Sequence, residues 1–234
     1  GVNLAERSPT GDYWQEISSK TPLTRFFVYE NAHHKNELGP WLGCVESRPN
    51  GLAITDAEPN YANPDTLFVP SFGPDEYDGN KGDNELIGLT GNDTLLGGDG
   101  DDILMGGGNL DALRGGRGDD ILVGGGGKDI QFGGLGADVF KFEAITDSGL
   151  LSTNRDVIQD FEIGVDLIDL SELTTAVFSF QGTGGLSGTG PSLTYAVTAL
   201  GDALVRIDVD GDGTQDMQIV VANTGVLTAD DFVL

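Results

Sequence analysis

Residues Gly79–Lys141 read GNKGDNELI (79–87), GLTGNDTLL (88–96), GGDGDDILM (97–105), GGGNLDALR (106–114), GGRGDDILV (115–123), GGGGKDIQF (124–132) and GGLGADVFK (133–141). The nine-residue period runs through seven blocks without a slip, and a weaker block in phase, PSFGPDEYD, starts at Pro70. A fixed short period marks a solenoid, in which each unit stacks on its neighbours. A flexible Gly/Asp-rich linker would not keep phase for this long.

Each block has two halves. The first six positions are glycine-rich and end in an acid: Asp93, Asp102, Asp111, Asp120, Asp129 and Asp138, with Asn84 in the first block. The eighth position is apolar in Leu86, Leu95, Leu104, Leu113, Leu122 and Phe140. Glycine permits the positive φ and the close backbone approach of a tight turn. Three residues around one central apolar side chain make a short strand with one face inward. Two turn-and-strand blocks complete one coil, so residues 18 apart lie on top of each other. That register predicts one column of Asp102, Asp120 and Asp138, and another of Asp93, Asp111 and Asp129.

Such columns call for a cation. Two carboxylates ~4 Å apart repel by roughly 4 kcal/mol at an effective dielectric of ~20. A hard divalent ion removes the repulsion, with turn carbonyls supplying further oxygens. Candidate carbonyl donors are Gly82, Gly91, Gly98, Gly100, Gly107, Gly116, Gly118, Gly125, Gly127, Gly134 and Gly136. The blocks contain neither His nor Cys, so zinc and copper are disfavoured and Ca²⁺ fits best.

The blocks resemble the GGxGxDxUx nonapeptide of the repeats-in-toxin (RTX) family. That resemblance implies an all-β fold, a right-handed parallel β-roll with flanking antiparallel strands and Ca²⁺ between stacked turns. It also implies export through type I secretion machinery. The chain departs from the pattern at Asn84, at Asn109 and Lys128 within turns, and at Gln131, where an apolar residue is expected.

After the repeats, Ala137–Leu173 alternates acidic and apolar residues. It resembles the part that closes the β-roll in serralysin-type proteases and in the RTX modules of alginate epimerases and secreted adhesins. The matching residues are Gly136-Ala137-Asp138, Asp147-Ser148, Asp156-Val157-Ile158, Asp160-Phe161 and Asp166 to Ser171. By that match Asp147 and Asp156 hold a terminal Ca²⁺; read from the residues alone, they are equally well solvated turn acids. The aspartate columns are expected to end near Asp138.

Residues 174–192 read as a loop, and Leu193–Val197, Ala203–Val209, Asp216–Val221 and the end of the chain as an antiparallel meander. Asp208, Asp210 and Asp212 with Gly213 match the first half of an EF-hand loop. The twelfth position is Ile219 rather than Glu, and the flanks are strand-like. A calcium half-site and a tight acidic hairpin both remain open.

The formal charge is −26, from 38 acids against 12 bases. Residues 1–69 hold 9 acids and 5 bases, 70–141 hold 14 and 5, and 142–234 hold 15 and 2. This excess argues against nucleic acid and anionic membrane as partners. Cys44 is the single cysteine, which excludes an internal disulfide, and no apolar run reaches transmembrane length.

Three divisions are expected: 1–69 as a cap or the tail of an upstream domain, 70–147 as the calcium-binding roll, and 148–234 as its closing region. Strands are predicted at Thr24–Glu30 and within Gly39–Arg48. Trp14 and Trp41 could bury a small core or line a carbohydrate or cell-surface ligand groove. His33, His34 and Cys44 have no matching partners for metal binding or catalysis.

The reading is a secreted, extracellular or cell-surface calcium-binding module that folds after export, with any catalytic or adhesive domain upstream. An adhesin using residues 1–69 is the alternative; part of a secreted hydrolase or epimerase is the second. The chain has no HExxH and no GxSxG, and is expected not to be an enzyme. Asp230–Leu234 reads either as a C-terminal export signal or as an edge strand, and its removal is expected to leave folding intact.

Overall fold

The computed structural model describes Pro74 and residues 76–234, together with the backbone of five earlier strands. In chain order the strands are β1 (Gln15–Ser18), β2 (Thr24–Tyr29), β3 (Trp41–Arg48), β4 (Gly51–Thr55), β5 (Thr66–Phe68), β6 (Glu76–Asp78) and β7 (Glu85–Thr90). Then come β8 (Thr94–Asp99), β9 (Ile103–Asn109), β10 (Ala112–Arg117), β11 (Ile121–Gly127), β12 (Ile130–Leu135) and β13 (Val139–Lys141). The closing region holds β14 (Asp156–Ile158), β15 (Leu167–Asp169), β16 (Ser179–Phe180), β17 (Ser192–Val197), β18 (Ala203–Asp208), β19 (Met217–Val221) and β20 (Phe232–Val233). Trp14, His33 and His34, and with them any ligand role for that stretch, lie outside the described residues.

The repeats build two parallel sheets, one from alternate blocks and one from the blocks between. In the first, β6, β8, β10, β12 and β14 are neighbours; in the second, β5, β7, β9, β11, β13 and β15. The register advances by 18 residues: Leu95 pairs with Leu113 and Leu104 with Leu122. The coil length read from the nonapeptide is therefore the one observed. All members of the eighth-position column from Leu86 to Phe140 are at most 1% exposed. Each such apolar side chain contributes about 1.5–3 kcal/mol of burial. Gln131 holds the same inward position between Leu113 and Ile158.

The turns explain the glycines. At Gly118, φ is +123°, and a Cβ there would come within 2.2 Å of the Gly100 carbonyl oxygen in the coil below. Positions that depart from glycine keep the same left-handed backbone: Asn80, Leu89 and Asn109 have φ of 64°, 75° and 88°. The turn is thus imposed by stacking even where the local residue disfavours it.

Beyond the repeats the two sheets are completed in different ways. β14 pairs in parallel with β19, which continues antiparallel into β18 and β17. That meander is as expected, except for the end of the chain. β20 joins the other sheet, parallel to β15, with Phe232 against Ile168. Phe232 is 7% exposed and packs 5.6 Å from the Phe180 ring. The tail is part of the core, because its alternation matches an open edge of the second sheet. Among the described residues no helix is long and apolar enough to cross a membrane.

Candidate metal centre

Each sixth-position aspartate sits at a coil corner with its side chain inward. From Asp102 to Asp138, its Oδ1 accepts a hydrogen bond from the backbone N–H of the equivalent residue one coil earlier. In one stack Asn84 N donates to Asp102 (2.7 Å), Asp102 N to Asp120 (2.8 Å) and Asp120 N to Asp138 (3.0 Å). In the other, Asp93 N donates to Asp111 (2.8 Å) and Asp111 N to Asp129 (2.8 Å). Both columns have the membership expected from the 18-residue register.

The stacks do not end near Asp138. Asp129 N donates to Asp156 (2.9 Å) and Asp138 N to Asp166 (3.0 Å). The steps are now 27 and 28 residues, because loops are inserted between strands that still pair in register. Counting 18 from Asp138 would put Asp156 in the wrong stack. Asp166, not singled out as a ligand in the sequence, takes the place above Asp138. Asp160 accepts from Gly133 N (2.9 Å), and Asp231 from Gly164 N (3.0 Å) and Thr228 N (2.6 Å). The signal for all three is an acid directly before an apolar residue, the repeat's own grammar outside its period; Leu167 and Phe232 begin strands, and Phe161 is buried beyond the end of β14.

The second oxygen is the telling one. Oδ2 of Asp93, Asp102, Asp111, Asp120, Asp129, Asp138 and Asp156 is buried, and among the described residues no donor reaches it. An orphaned buried carboxylate oxygen carries a penalty of about 1–3 kcal/mol or more. Burial pushes Asp102 and Asp138 up to about 6, and Asp111, Asp120 and Asp129 up to about 7; their backbone hydrogen bonds pull the other way. Burial and then the Asp129 charge push Asp156 up to about 9. Burial also raises Asp160 and Asp166.

These oxygens border backbone carbonyls. A Cβ at Gly97 would lie 2.3 Å from Asp102 Oδ2 and 2.6 Å from the Gly115 carbonyl oxygen. First-position glycine therefore keeps open the corner where carboxylate and carbonyl oxygens meet. The candidate carbonyl residues Gly82, Gly91, Gly98, Gly100, Gly107, Gly116, Gly118, Gly125, Gly127, Gly134 and Gly136 all take positive φ in the stacked turns. An all-oxygen, hard donor set of this kind fits Ca²⁺.

The exposed fifth positions differ between the stacks. Asp83, Asp101 and Asp119 form an outer ladder, Asp101 N donating to Asp83 (3.0 Å) and Asp119 N to Asp101 (2.8 Å). The opposite corner carries Asn92, Leu110 and Lys128 instead. Lys128 Nζ donates to the Ser152 carbonyl at 3.3 Å.

Asp147 closes the turn after β13, its Oδ2 accepting from Glu143 N (2.8 Å) and Ala144 N (2.9 Å). Its charge raises both Asp129 and Asp156, so the three acids gather at the end of one stack. In the β18–β19 hairpin, carboxylate oxygens of Asp208, Asp210 and Asp216 lie within 4.8 Å of one another. Asp212 is not in the group: its Oδ1 is engaged by Thr214 N and Oγ1. Asp216 replaces it because the hairpin folds back from strand ends, unlike a helix-flanked loop, and brings its first and last acids together.

Comparison with known proteins follows the same outline. The peptidase M10 serralysin C-terminal family matches residues 84–234. No curated protein matches the chain. Among solved structures, it is similar to the AlgE6R3 subunit of the Azotobacter vinelandii mannuronan C5-epimerase. They share 28% identity over 74% of this chain and 86% of that one, with a TM-score of 0.48. The AlgE6R2 subunit of the same enzyme shares 27% identity over 65% and 88%, with a TM-score of 0.42. The β-roll stands on its strand registers. With the period, the two parallel sheets and a family match over most of its length, the chain belongs to the peptidase M10 serralysin C-terminal family, an RTX-type module.

Proposed function

We propose that this chain is a non-catalytic, calcium-binding RTX module of a secreted protein, and that it folds when calcium fills its two corner stacks. The observation that carries the reading is the ladder of seven buried aspartates whose Oδ2 meets no donor among the described residues, six of them, from Asp102 to Asp156, with Oδ1 held by a backbone N–H. Asp93, Asp111, Asp129 and Asp156 would hold ions in one stack, and Asp102, Asp120 and Asp138 in the other, with turn carbonyls completing each set. Calcium would supply positive charge there and keep the carboxylates ionised.

Without that charge the ladders oppose folding. Low apolar content and high net charge favour an unfolded chain. Low intracellular calcium then suits passage through a narrow type I exporter. Abundant extracellular calcium suits folding outside, since modules of this kind bind at ~10⁻⁴–10⁻³ M. At roughly ten times Kd each site adds about 1.4 kcal/mol, and coupled sites give a steep transition.

Circular dichroism in chelator and in millimolar-range calcium tests this. The β spectrum is expected only with calcium, and an unchanged spectrum in chelator would sink the proposal. Asp120 has a stacked acid on either side, whereas Asn84 stands at a stack's start. Asp120→Ala is therefore expected to lower calcium cooperativity much more than Asn84→Ala. Equal midpoints and Hill slopes would contradict ion binding between coils.

A further inference from the structure

The two corner stacks hold the same kind of side chain but face different charges. In the stack of Asp102, Asp120 and Asp138, the residues directly before Asn84, Asp102 and Asp120 are the exposed acids Asp83, Asp101 and Asp119. In the stack of Asp93, Asp111, Asp129 and Asp156, the corresponding residues are Asn92, Leu110, Lys128 and Arg155. The third positions do not reverse the contrast. The first corner carries Lys81, Asp99 and Arg117 there, with Asp99 and Arg117 paired at 3.6 Å, and the second carries Thr90, Gly108 and Gly126.

The outer acids are held in place by the roll. Asp101 N donates to Asp83 (3.0 Å), Asp119 N to Asp101 (2.8 Å) and Ala137 N to Asp119 (2.8 Å), so each engages its Oδ1 in a ladder one residue outside the buried one. A Cβ at Gly118 would lie 2.2 Å from the Gly100 carbonyl oxygen and 2.8 Å from Asp101 Oδ1. Outer carboxylate and turn carbonyl therefore border the same point of the corner. Just inside lie the Oδ2 atoms of Asp102, Asp120 and Asp138, buried and without a donor among the described residues.

The outer charges reach the inner column. Asp83 and Asp101 act on Asp102, Asp101 acts on Asp120, and Asp119 and Asp160 act on Asp138. Asp111 instead feels Asp93 and Asp129, members of its own column. At the far end of that column Asp147 is an acid set against Lys128 and Arg155.

We propose that the two stacks load with calcium in a fixed order, the acid-flanked stack of Asp102, Asp120 and Asp138 first, and that Asp83, Asp101 and Asp119 set this order by charge. The order presupposes calcium at the corner stacks, the function proposed above. A dication nearing the first corner is drawn in, whereas at the second it meets Lys128 and Arg155. Such fields raise the local ion concentration and are screened by salt. Loading stays steep within a stack, where successive coils share ions, and is staged between stacks.

Amide-resolved NMR of the whole chain through a calcium titration tests the order, because the column amides donate to the carboxylates at their own corners. Asp102 and Asp120 amides are expected to reach their calcium-loaded positions at a roughly fivefold lower calcium concentration than those of Asp93 and Asp111. Asp83→Asn, Asp101→Asn and Asp119→Asn together keep each Oδ1 for the ladder and remove only charge. This triple variant is expected to raise the first midpoint roughly fivefold and leave the second in place. Lys128→Gln is expected to lower the second midpoint, a change of opposite sign that a general loss of stability does not produce. Added salt is expected to bring the two wild-type midpoints together. Coincident midpoints at low salt would overturn the order, and an unchanged first midpoint in the triple variant would overturn the role of the outer acids. A wild-type chain that bound no calcium would overturn the order together with the function beneath it, whereas simultaneous loading of both stacks would overturn the order alone.

Discussion

Gln131 is the sharpest departure from the repeat at the scale of a single residue. It is fully buried in the leucine column, and neither its Oε1 nor its Nε2 has a partner. Gln131→Leu restores the apolar side chain and removes two unsatisfied polar atoms. It is expected to stabilise the calcium-loaded protein by about 1–3 kcal/mol, read as a shift in denaturation midpoint. A lower midpoint would mean that the amide has a task in the core. Glycines make the opposite case. A Cβ at Gly115 would lie 2.2 Å from Asp120 Oδ2 and 2.6 Å from the Gly133 carbonyl oxygen, whereas one at Gly126 meets nothing within 4 Å. Gly115→Ala is expected to cost about 1–3 kcal/mol and to weaken calcium binding; Gly126→Ala is expected to do neither. Equal calcium midpoints in the two variants would remove the corner from the ion's path.

Among the elements, β20 changes the expectation most. As a sequence, Asp230–Leu234 looked dispensable for folding. In the structure Phe232 closes the core beside Phe180, and Asp231 binds the turn at Gly164. Deleting residues 231–234 is therefore expected to lower the melting temperature in calcium, by at least the ~1.5–3 kcal/mol of one buried aromatic. Secreted yield from cells with a matched exporter tests the export role separately. Undiminished secretion would remove the signal reading, and an unchanged melting curve would remove the structural one. The inserted loops teach a related lesson. The acid-before-apolar pattern of Asp156-Val157-Ile158 and Asp166-Leu167-Ile168 was legible as strand, but its stack was not. Residue counting fails once loops of unequal length intervene, and only strand pairing restores the register.

For the whole molecule, the two ladders make stability depend on protons as well as calcium. The aspartates have folded values raised from 3.8 to about 6 or 7, and to about 9 for Asp156. A raised carboxyl binds more protons folded than unfolded, so stability falls as pH rises. Its contribution is complete below the unfolded value and is lost as pH climbs through the folded one. Calcium-stripped protein is thus expected to melt higher, and to keep more β structure, at pH 5 than at pH 8. With saturating calcium the ion keeps the carboxylates charged, and this dependence should shrink or reverse. Thermal melts at both pH values, with and without calcium, make the comparison. A stripped protein equally folded at pH 8 would show that the buried acids do not oppose the fold.

By itself the sequence determined the repeat, its two-block coil, the inward leucine column and the membership of both aspartate columns up to Asp138. Those follow from local rules: glycine for left-handed turns, a period-two strand, and a phase that never slips. The tertiary structure alone decided where the columns end, which sheet receives the last strand, and that Asp216 rather than Asp212 joins Asp208 and Asp210. It also brought Arg155 to Arg206 across Gln218. Apart from the acid group, which one hairpin folds together, each depends on residues far apart in the chain: Ile168 and Phe232 are 64 positions apart, Arg155 and Arg206 51. Backbone pairing and burial bring such residues together, and no periodicity in the intervening loops records it.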